Sequence, residues 1–216
     1  MIIRKSELKS LDRIKRLNIV NSISGVKPAN IIGSTSSAGV TNAAIFSSVV
    51  HLGSNPALIG MIGRPSGGHR RDTIENLRET GIYSINHVNP EIVSRAHATS
   101  AKLPKDASEF KRCGLTEEFI DGFEAPFVAE SRVKIGLRLV EEIPIKINET
   151  TLIIGEIELI KFANGLIDIE NGVLDLEQSS GVGISGLDTY YSMSRLESFP
   201  YAREENIDQI IYGPSK

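Results

Sequence analysis

Alternating apolar and polar residues are the main pattern in the chain, and they predict β-strands. From Val133 to Leu139 every second residue is apolar, and Lys134, Gly136 and Arg138 stand between them. A period of two turns one face of a strand toward a core and the other toward water. A second long strand is predicted over 150–162. Shorter apolar runs predict further strands over 29–34, 44–50, 57–63 and 82–88, with a turn over 51–56.

Helical spacing occurs in fewer places. Leucine and isoleucine recur every three residues from Leu8 to Leu17, which predicts an amphipathic helix over 6–20 on the outside of the core. A second helix is predicted over 70–81. Asp72 and Glu75 would form a capping box at its start, and Gly81 would end it. Short helical pieces are predicted over 90–100 and 109–122.

Two long antiparallel strands with several shorter ones favour a closed or nearly closed β-barrel. A parallel sheet would need a helix between most strands, but the pattern shows a clear helix between two strands in one place only. The prediction is a mainly β single domain over 1–216 with peripheral helices. Its core covers about 18–162, its N-terminal helix 6–20, and its C-terminal extension 163–216, which is interpreted as an addition or a partner contact.

Three glycines of the extension, Gly181, Gly183 and Gly186, have the spacing G-x-G-x-x-G. A dinucleotide-binding fingerprint needs a strand before this spacing, a helix after it and a second strand further on. The preceding residues are a poor strand and few residues follow. We therefore interpret the glycines as a flexible turn at the edge of the barrel.

Composition narrows the possible functions. A net charge of -3 and a pI near 5.9 give no general attraction to nucleic acid or to an anionic membrane. Apolar runs are far shorter than the roughly 18 residues of a membrane helix. The N-terminus lacks the apolar stretch of a signal peptide, and Cys113 has no second cysteine to pair with. These features predict a cytoplasmic protein. The four histidines, His51, His69, His87 and His97, have no metal-ligand spacing, so no metal site is predicted.

The connection after the first predicted strand has more polar groups than a turn requires. Hydroxyl and amide side chains crowd it at Ser34, Thr35, Ser36, Ser37, Thr41 and Asn42, with Gly39 between them. A hairpin needs two to five turn residues. Two interpretations stay open here: these side chains either cap the turn or bind a ligand.

A second polar cluster precedes the predicted helix at 70–81. Arg70, Arg71 and Thr73 lie at its start, behind the glycine pair at 67–68. Free backbone N–H groups, the positive end of the helix dipole and guanidinium charge all favour an anion at such a place. The alternative is a capped surface helix with no ligand.

The chain has, in this order, Ser34-Thr35, Gly39, Asn42, Ala44, Ser47-Ser48, Asn55-Pro56, Arg71-Asp72-Thr73 and Asn76. The order and spacing of these pieces resemble the flavin reductase-like family, the FMN-binding split barrels that include flavoredoxin. The resemblance covers roughly residues 18–162. Arg71 stands where the family usually has lysine, and Ala44-Ile45 lacks a frequent proline.

The resemblance implies a split β-barrel that binds FMN. Most simply, the protein would be an NAD(P)H-dependent flavin reductase in which hydride passes to flavin N5 and no protein side chain acts as a catalyst. Alternatives are a flavoredoxin-like electron carrier and a barrel without flavin. The implied FMN-binding residues are Ser34, Thr35, Ser36, Ser37, Asn42, Ala43, Ala44, Ser48, Arg64, Arg71, Asp72, Thr73 and Asn76.

The resemblance also implies partners. The nicotinamide nucleotide would be the co-substrate, and a redox protein is a possible electron acceptor. Family members that resemble this chain are homodimers with FMN near the subunit interface, so a homodimer is expected.

Overall fold

A seven-stranded antiparallel sheet forms the centre of the fold. The computed structural model describes residues 1–65, 67 and 71–213. Its strands are β1 (Lys27–Pro28), β2 (Asn30–Thr35), β3 (Thr41–Phe46), β4 (Val49–Ser54), β5 (Ala57–Gly63), β6 (Ile82–His87), β7 (Glu117–Ile120), β8 (Phe123–Val128), β9 (Val133–Ile145), β10 (Thr150–Phe162), β11 (Val182–Ser185) and β12 (Thr189–Ser192). Its α-helices are α1 (Lys5–Ser10), α2 (Arg13–Ser22), α3 (Asp72–Thr80), α4 (Val93–Ala98), α5 (Glu109–Cys113) and α6 (Ile207–Tyr212).

The central sheet has the strand order β3-β2-β6-β9-β10-β5-β4, and all its neighbours are antiparallel. The two longest strands, β9 and β10, follow the two longest alternating stretches of the sequence. A smaller sheet has the order β1-β11-β12, and β7 pairs with β8 in a hairpin. The prediction of a mainly β domain with peripheral helices is confirmed.

Strand β2 separates two parts of the core. Ile31 and Ile32 are both fully buried, and their side chains point to opposite faces because successive residues of a strand alternate. Ile32 packs with Met61, Tyr83 and other side chains of the barrel interior, where Ile74 and Leu77 of α3 also belong. Ile31 packs in the cluster that contains residues of α4, α5 and β11. Helix α3 is therefore fixed to the barrel through its apolar side.

The N-terminal helix is in two parts, which corrects the prediction of one helix over 6–20. Helix α1 ends at Ser10 and α2 begins at Arg13. Asp12 caps α2, because its carboxylate accepts a hydrogen bond from the N–H of Lys15 at 2.9 Å. Neither helix has a buried residue, so the expected position outside the core is confirmed.

The strand predicted over 44–50 is interrupted at Ser47 and Ser48. The hydroxyl of Ser48 accepts from the N–H of Ile62 at 3.1 Å and donates to the carbonyl of Ile62 at 3.2 Å, so it replaces backbone groups beside β5. The turn predicted over 51–56 is also shorter, because β4 continues to Ser54.

The helical piece predicted over 109–122 ends early. Gly114 has a φ of 73°, a left-handed conformation that stops α5. The chain then forms β7, which pairs with β8 through Glu117 and Val128. Helix α4 lies within the other predicted helical piece, over 90–100.

The glycine-rich part of the extension forms β11, so the prediction of a flexible turn is wrong. Val182 and Ile184 of this strand are buried and belong to the main core, which also corrects the view of 163–216 as an addition. Gly186 has a φ of 63° and turns the chain into the antiparallel β12. Because a strand and not a helix follows, the rejection of a dinucleotide-binding fingerprint is confirmed. Among the residues that the structure describes, no helix is long and apolar enough to cross a membrane.

His87, the last residue of β6, gives the fold a pH dependence. Burial lowers its pKa from 6.5 to about 4. Below about pH 6.5 the unfolded chain takes up a proton that the folded chain does not, so the free energy of unfolding falls as the pH falls toward 4. We expect a loss of about 2 kcal/mol between pH 8 and pH 5, measured by urea unfolding. His87→Asn should flatten this profile, and the same substitution at the exposed His51 should leave it unchanged. An equal slope in both variants would contradict the assignment to His87.

Candidate functional site

A large cleft of about 950 Å³ lies beside β3. One wall is β3 and the following Ser47 and Ser48. The start of α3 and Arg64 form a second wall, and residues 99–105 form a third. Residues of α2, Lys27 and the turn between β11 and β12 also line it. Its volume falls within the range of small-molecule and cofactor sites.

The structure brings many of the sequence-predicted residues into this cleft and leaves others outside. Ser36, Ser37 and Asn76 line a separate pocket of about 70 Å³. Ser34 and Thr35 line neither space. His69 and Arg70 lie outside the described residues. The predicted residues that line the large cleft are Asn42, Ala43, Ala44, Ser48, Arg64, Arg71, Asp72 and Thr73.

Strand β3 is an edge strand of the central sheet and presents backbone groups on the cleft side. The N–H of Ile45 points away from β2 and donates to the hydroxyl of Thr99 at 2.9 Å. Backbone directions repeat every second residue in an antiparallel ladder, so the N–H and carbonyl of Ala43 point away from β2 in the same way. Ala43 itself is fully buried and belongs to the main core, whereas Ala44 is half-buried and its small side chain lets a ligand come close to β3.

Helix α3 begins at Asp72, with Arg71 as its N-cap residue and no side-chain cap. The expected capping box of Asp72 and Glu75 is therefore wrong, while Gly81 ends the helix as predicted, with a φ of 74°. The first helical hydrogen bond runs from the N–H of Glu75 to the carbonyl of Arg71 at 3.0 Å. The N–H groups of Thr73 and Ile74 precede it, and both residues line the cleft. This is the end of a helix that favours an anion.

Positive charge predominates among the described residues of the cleft. Lys27, Arg64, Arg71, Lys102 and Lys105 line it, against the acidic Asp72, Glu109 and Asp188. The guanidinium of Arg71 donates through Nε and Nη2 to the carbonyl of Pro65, at 3.2 and 3.1 Å, and so ties Pro65 to the start of α3. No hydrogen bond or ion pair within the described residues engages Arg64.

A buried hydrogen-bond network fixes the start of α3 to β2 and β3. The side-chain amide of Asn42 donates to the hydroxyls of Thr73 and Ser34, at 3.0 and 3.3 Å. Asn76 donates to the same Ser34 hydroxyl at 3.1 Å. All four side chains are buried. Ser34 and Asn76 thus support the wall of the cleft from behind.

The rest of the polar connection forms a turn tied to α3. Ser36 bonds to Val40 through backbone and side chain, and Gly39 has a φ of 81°. The N–H of Ser37 donates to the carboxylate of Glu79 at 3.0 Å, which lowers the pKa of that carboxyl. The turn-capping interpretation therefore applies to Ser36 and Ser37.

Several residues of the cleft gave no signal in the sequence. His97 lies at the rim, and its Nδ1 is 3.1 Å from the hydroxyl of Tyr190, with the two rings edge to face. These residues come from α4 and β12, which are far apart in the chain. Within 1–65, 67 and 71–213, no group of three or more histidine, cysteine, aspartate or glutamate residues could hold a metal ion.

The chain is similar to known proteins in both sequence and fold. A family model described as a flavin reductase like domain matches residues 26–174. The crystal structure of a candidate flavin reductase with a split barrel domain from Shewanella frigidimarina NCIMB 400 has a TM-score of 0.89 and 46% identity, and it covers 94% of this chain and 100% of that one. Flavoredoxin of Desulfovibrio vulgaris (Miyazaki F) has a TM-score of 0.71 and 20% identity, over 82% of this chain and 92% of that one, which shows the fold alone.

A sequence relative is an uncharacterized protein of Halalkalibacterium halodurans, 35% identical over 120 residues. That match covers 55% of this chain and 57% of the relative, so the chain spans little more than half of that protein's length. Together with the solved structures, these likenesses confirm the predicted split barrel.

Proposed function

Because the chain belongs to the flavin reductase-like domain family, we propose that its cleft binds FMN and that the protein is an NAD(P)H-dependent flavin reductase. A single observation supports this most strongly. The edge strand β3, the start of α3 and two arginines all line one cleft of about 950 Å³.

The chemistry of the cleft fits the three parts of FMN. A dianionic phosphate suits the N–H groups of Thr73 and Ile74 together with Arg64 and Arg71. A flat ring suits the half-buried stretch of β3 from Ala44 to Phe46, which begins with a small side chain.

The predicted ligand residues thereby divide into two roles. Arg64, Arg71, Thr73 and Ala44 would contact the cofactor, whereas Ala43 is fully buried in the main core. Ser48 has one hydroxyl proton and already donates it to Ile62, so it offers the ribityl chain an acceptor only. The buried Ser34, Asn42 and Asn76 would position the phosphate-binding end of α3, because the amides of Asn42 and Asn76 donate to the Ser34 hydroxyl and Asn42 also donates to Thr73.

When bound, FMN supplies the capacity to accept a hydride from a nicotinamide and to pass electrons on. The protein residues hold the two reactants and supply donors to a negatively charged cofactor. No side chain is assigned as a catalyst. We also propose that the protein is a homodimer.

Titration of the apo-protein with FMN, followed by NADH or NADPH without oxygen, tests the proposal. We expect saturable FMN binding that quenches or shifts the flavin signal, then bleaching on addition of the nicotinamide. Turnover of added free flavin supports a reductase, and bleaching with no turnover of free flavin supports a flavoredoxin-like carrier instead. Absence of FMN binding would contradict both and leave a barrel without flavin.

A further inference from the structure

The C-terminal arm, residues 193–213, holds many apolar side chains in water. Residues 193–203 form neither helix nor strand, and the arm's one α-helix, α6, has no buried residue. Leu196 is 98% exposed, Tyr201 84% and Tyr212 80%. Met193, Phe199, Ile207 and Ile211 are also exposed. Arg195 anchors the first part of the arm through an ion pair with Asp175 at 3.4 Å.

A second exposed apolar surface lies on the outer face of the barrel, across β4, β5, β10 and β9. Val50 and Leu52 of β4 are 49% and 43% exposed. Gly60 of β5 lies beside them, since a Cβ there would meet Leu52 and Leu152 at 3.0 and 3.1 Å. Leu152 of β10 pairs across the ladder with Ile143 of β9, which is also exposed. Val50, Leu52, Leu152 and Ile143 form what we term the outer apolar face.

We propose that the arm of one copy docks on the outer apolar face of a second copy, and that the exchange is reciprocal. Each chain has one arm and one outer apolar face. In two copies related by a twofold axis, each arm covers the outer apolar face of the other copy, so all four surfaces are buried at once. No other kind of partner is needed to cover either one. This inference specifies the surfaces of the homodimer proposed above and does not depend on FMN binding.

The area agrees with a stable dimer. At roughly 100 Å² for each of seven large apolar side chains, the two arms alone would remove about 1,400 Å² from water, and the two outer faces add to this. A standard specific interface removes about 1,600 Å² in total.

The docked arm would also stabilise one end of the cleft. The arm follows directly from β12, where Tyr190 contacts His97 of the rim. The turn before β12 supplies Leu187 and Asp188 to the cleft. A second copy that holds the arm therefore limits the movement of this wall.

Sedimentation of the double variant Leu196→Asp/Phe199→Asp tests the arm. Both side chains are exposed in the single chain, so the variant should fold, as circular dichroism and thermal unfolding will show. We expect the parent to be a dimer and the variant to dissociate at least about thirtyfold more readily. Ile169→Asp is the matched control, because Ile169 is 93% exposed but lies outside the arm and the outer apolar face. A monomeric parent, or a variant as dimeric as the parent, would overturn the inference.

Mixing identifies the receiving face. A second variant, Val50→Asp/Ile143→Asp, changes the outer apolar face and should also be monomeric alone. A mixed pair of the two variants retains one intact arm and one intact face, so the mixture should form heterodimers. Absence of heterodimers, or an unchanged dimer of the face variant, would show that the arm docks elsewhere and overturn the assignment. The FMN content of each sample separates this from the proposed function: a parental dimer that binds no FMN contradicts the cofactor and leaves the arm inference intact.

Discussion

Arg71→Ala is expected to weaken FMN binding by roughly ten- to a hundredfold and to change riboflavin binding little. Riboflavin has the same ring and ribityl chain but no phosphate. A charge-assisted hydrogen bond contributes on the order of 1.5–3 kcal/mol, which corresponds to that change in affinity. The ratio of the two dissociation constants, measured by flavin fluorescence, therefore isolates the phosphate. Because ionic attraction is screened by salt, added salt should weaken FMN binding more than riboflavin binding.

The surroundings of Arg71 make the riboflavin measurement essential. Its guanidinium also donates to the carbonyl of Pro65, so its loss frees Pro65 from the start of α3. Arg64→Ala is the complementary variant, since Arg64 lines the same cleft without such a bond, and it should lower the FMN preference as well. Arg78→Ala is the control, because Arg78 lies on α3 but pairs with Glu142. An equal loss of FMN and riboflavin in the Arg71 variant would show that this arginine supports the fold and leave Arg64 as the phosphate ligand.

The spacing of apolar residues and the turn-forming glycines predicted the elements that depend on local sequence alone. The alternation from Val133 to Leu139 predicted β9, and Gly81 marked the end of α3. The same reasoning failed for β7 and for the gap at Ser47 and Ser48. Strand β7 forms because it pairs with β8. The gap at Ser47 and Ser48 forms because the Ser48 hydroxyl bonds to the backbone of Ile62. The first is the pairing of a hairpin and the second is a contact across 14 residues, and neither shows in the spacing of apolar residues.

The candidate site was predictable in its chemistry and less so in its geometry. Serine, threonine and asparagine serve equally well in a buried network and against a ligand, and the sequence does not distinguish the two. Burial does: Ser34 and Asn76 turn inward, whereas Arg64 and Arg71 lie on the cleft. The part of the rim at His97 was not predictable, because His97 and Tyr190 come together only when β12 packs beside α4.

Asn42→Leu is expected to lower the free energy of unfolding by about 2–4 kcal/mol. The substitution removes two hydrogen bonds in a buried place and leaves the hydroxyl of Thr73 without its donor, and each unsatisfied buried group costs about 1–3 kcal/mol. Because Thr73 lies in the first turn of α3, amide exchange at Thr73 and Ile74 should speed up most. FMN and riboflavin affinity should both fall, since the whole wall of the cleft loosens.

Urea unfolding and hydrogen exchange distinguish this supporting role from direct contact with the cofactor. Asn18→Leu is the matched control, because Asn18 is exposed on α2 and the same change there should leave stability within about 0.5 kcal/mol of the parent. A parental stability in the Asn42 variant, combined with a shifted flavin spectrum, would contradict the network and make Asn42 a ligand of the ring. If the variant loses stability but amide exchange at Thr73 stays as in the parent, the bond from Asn42 to Ser34 is the one that contributes to stability. The loss would then lie in the pairing of β2 with β3 and not in α3.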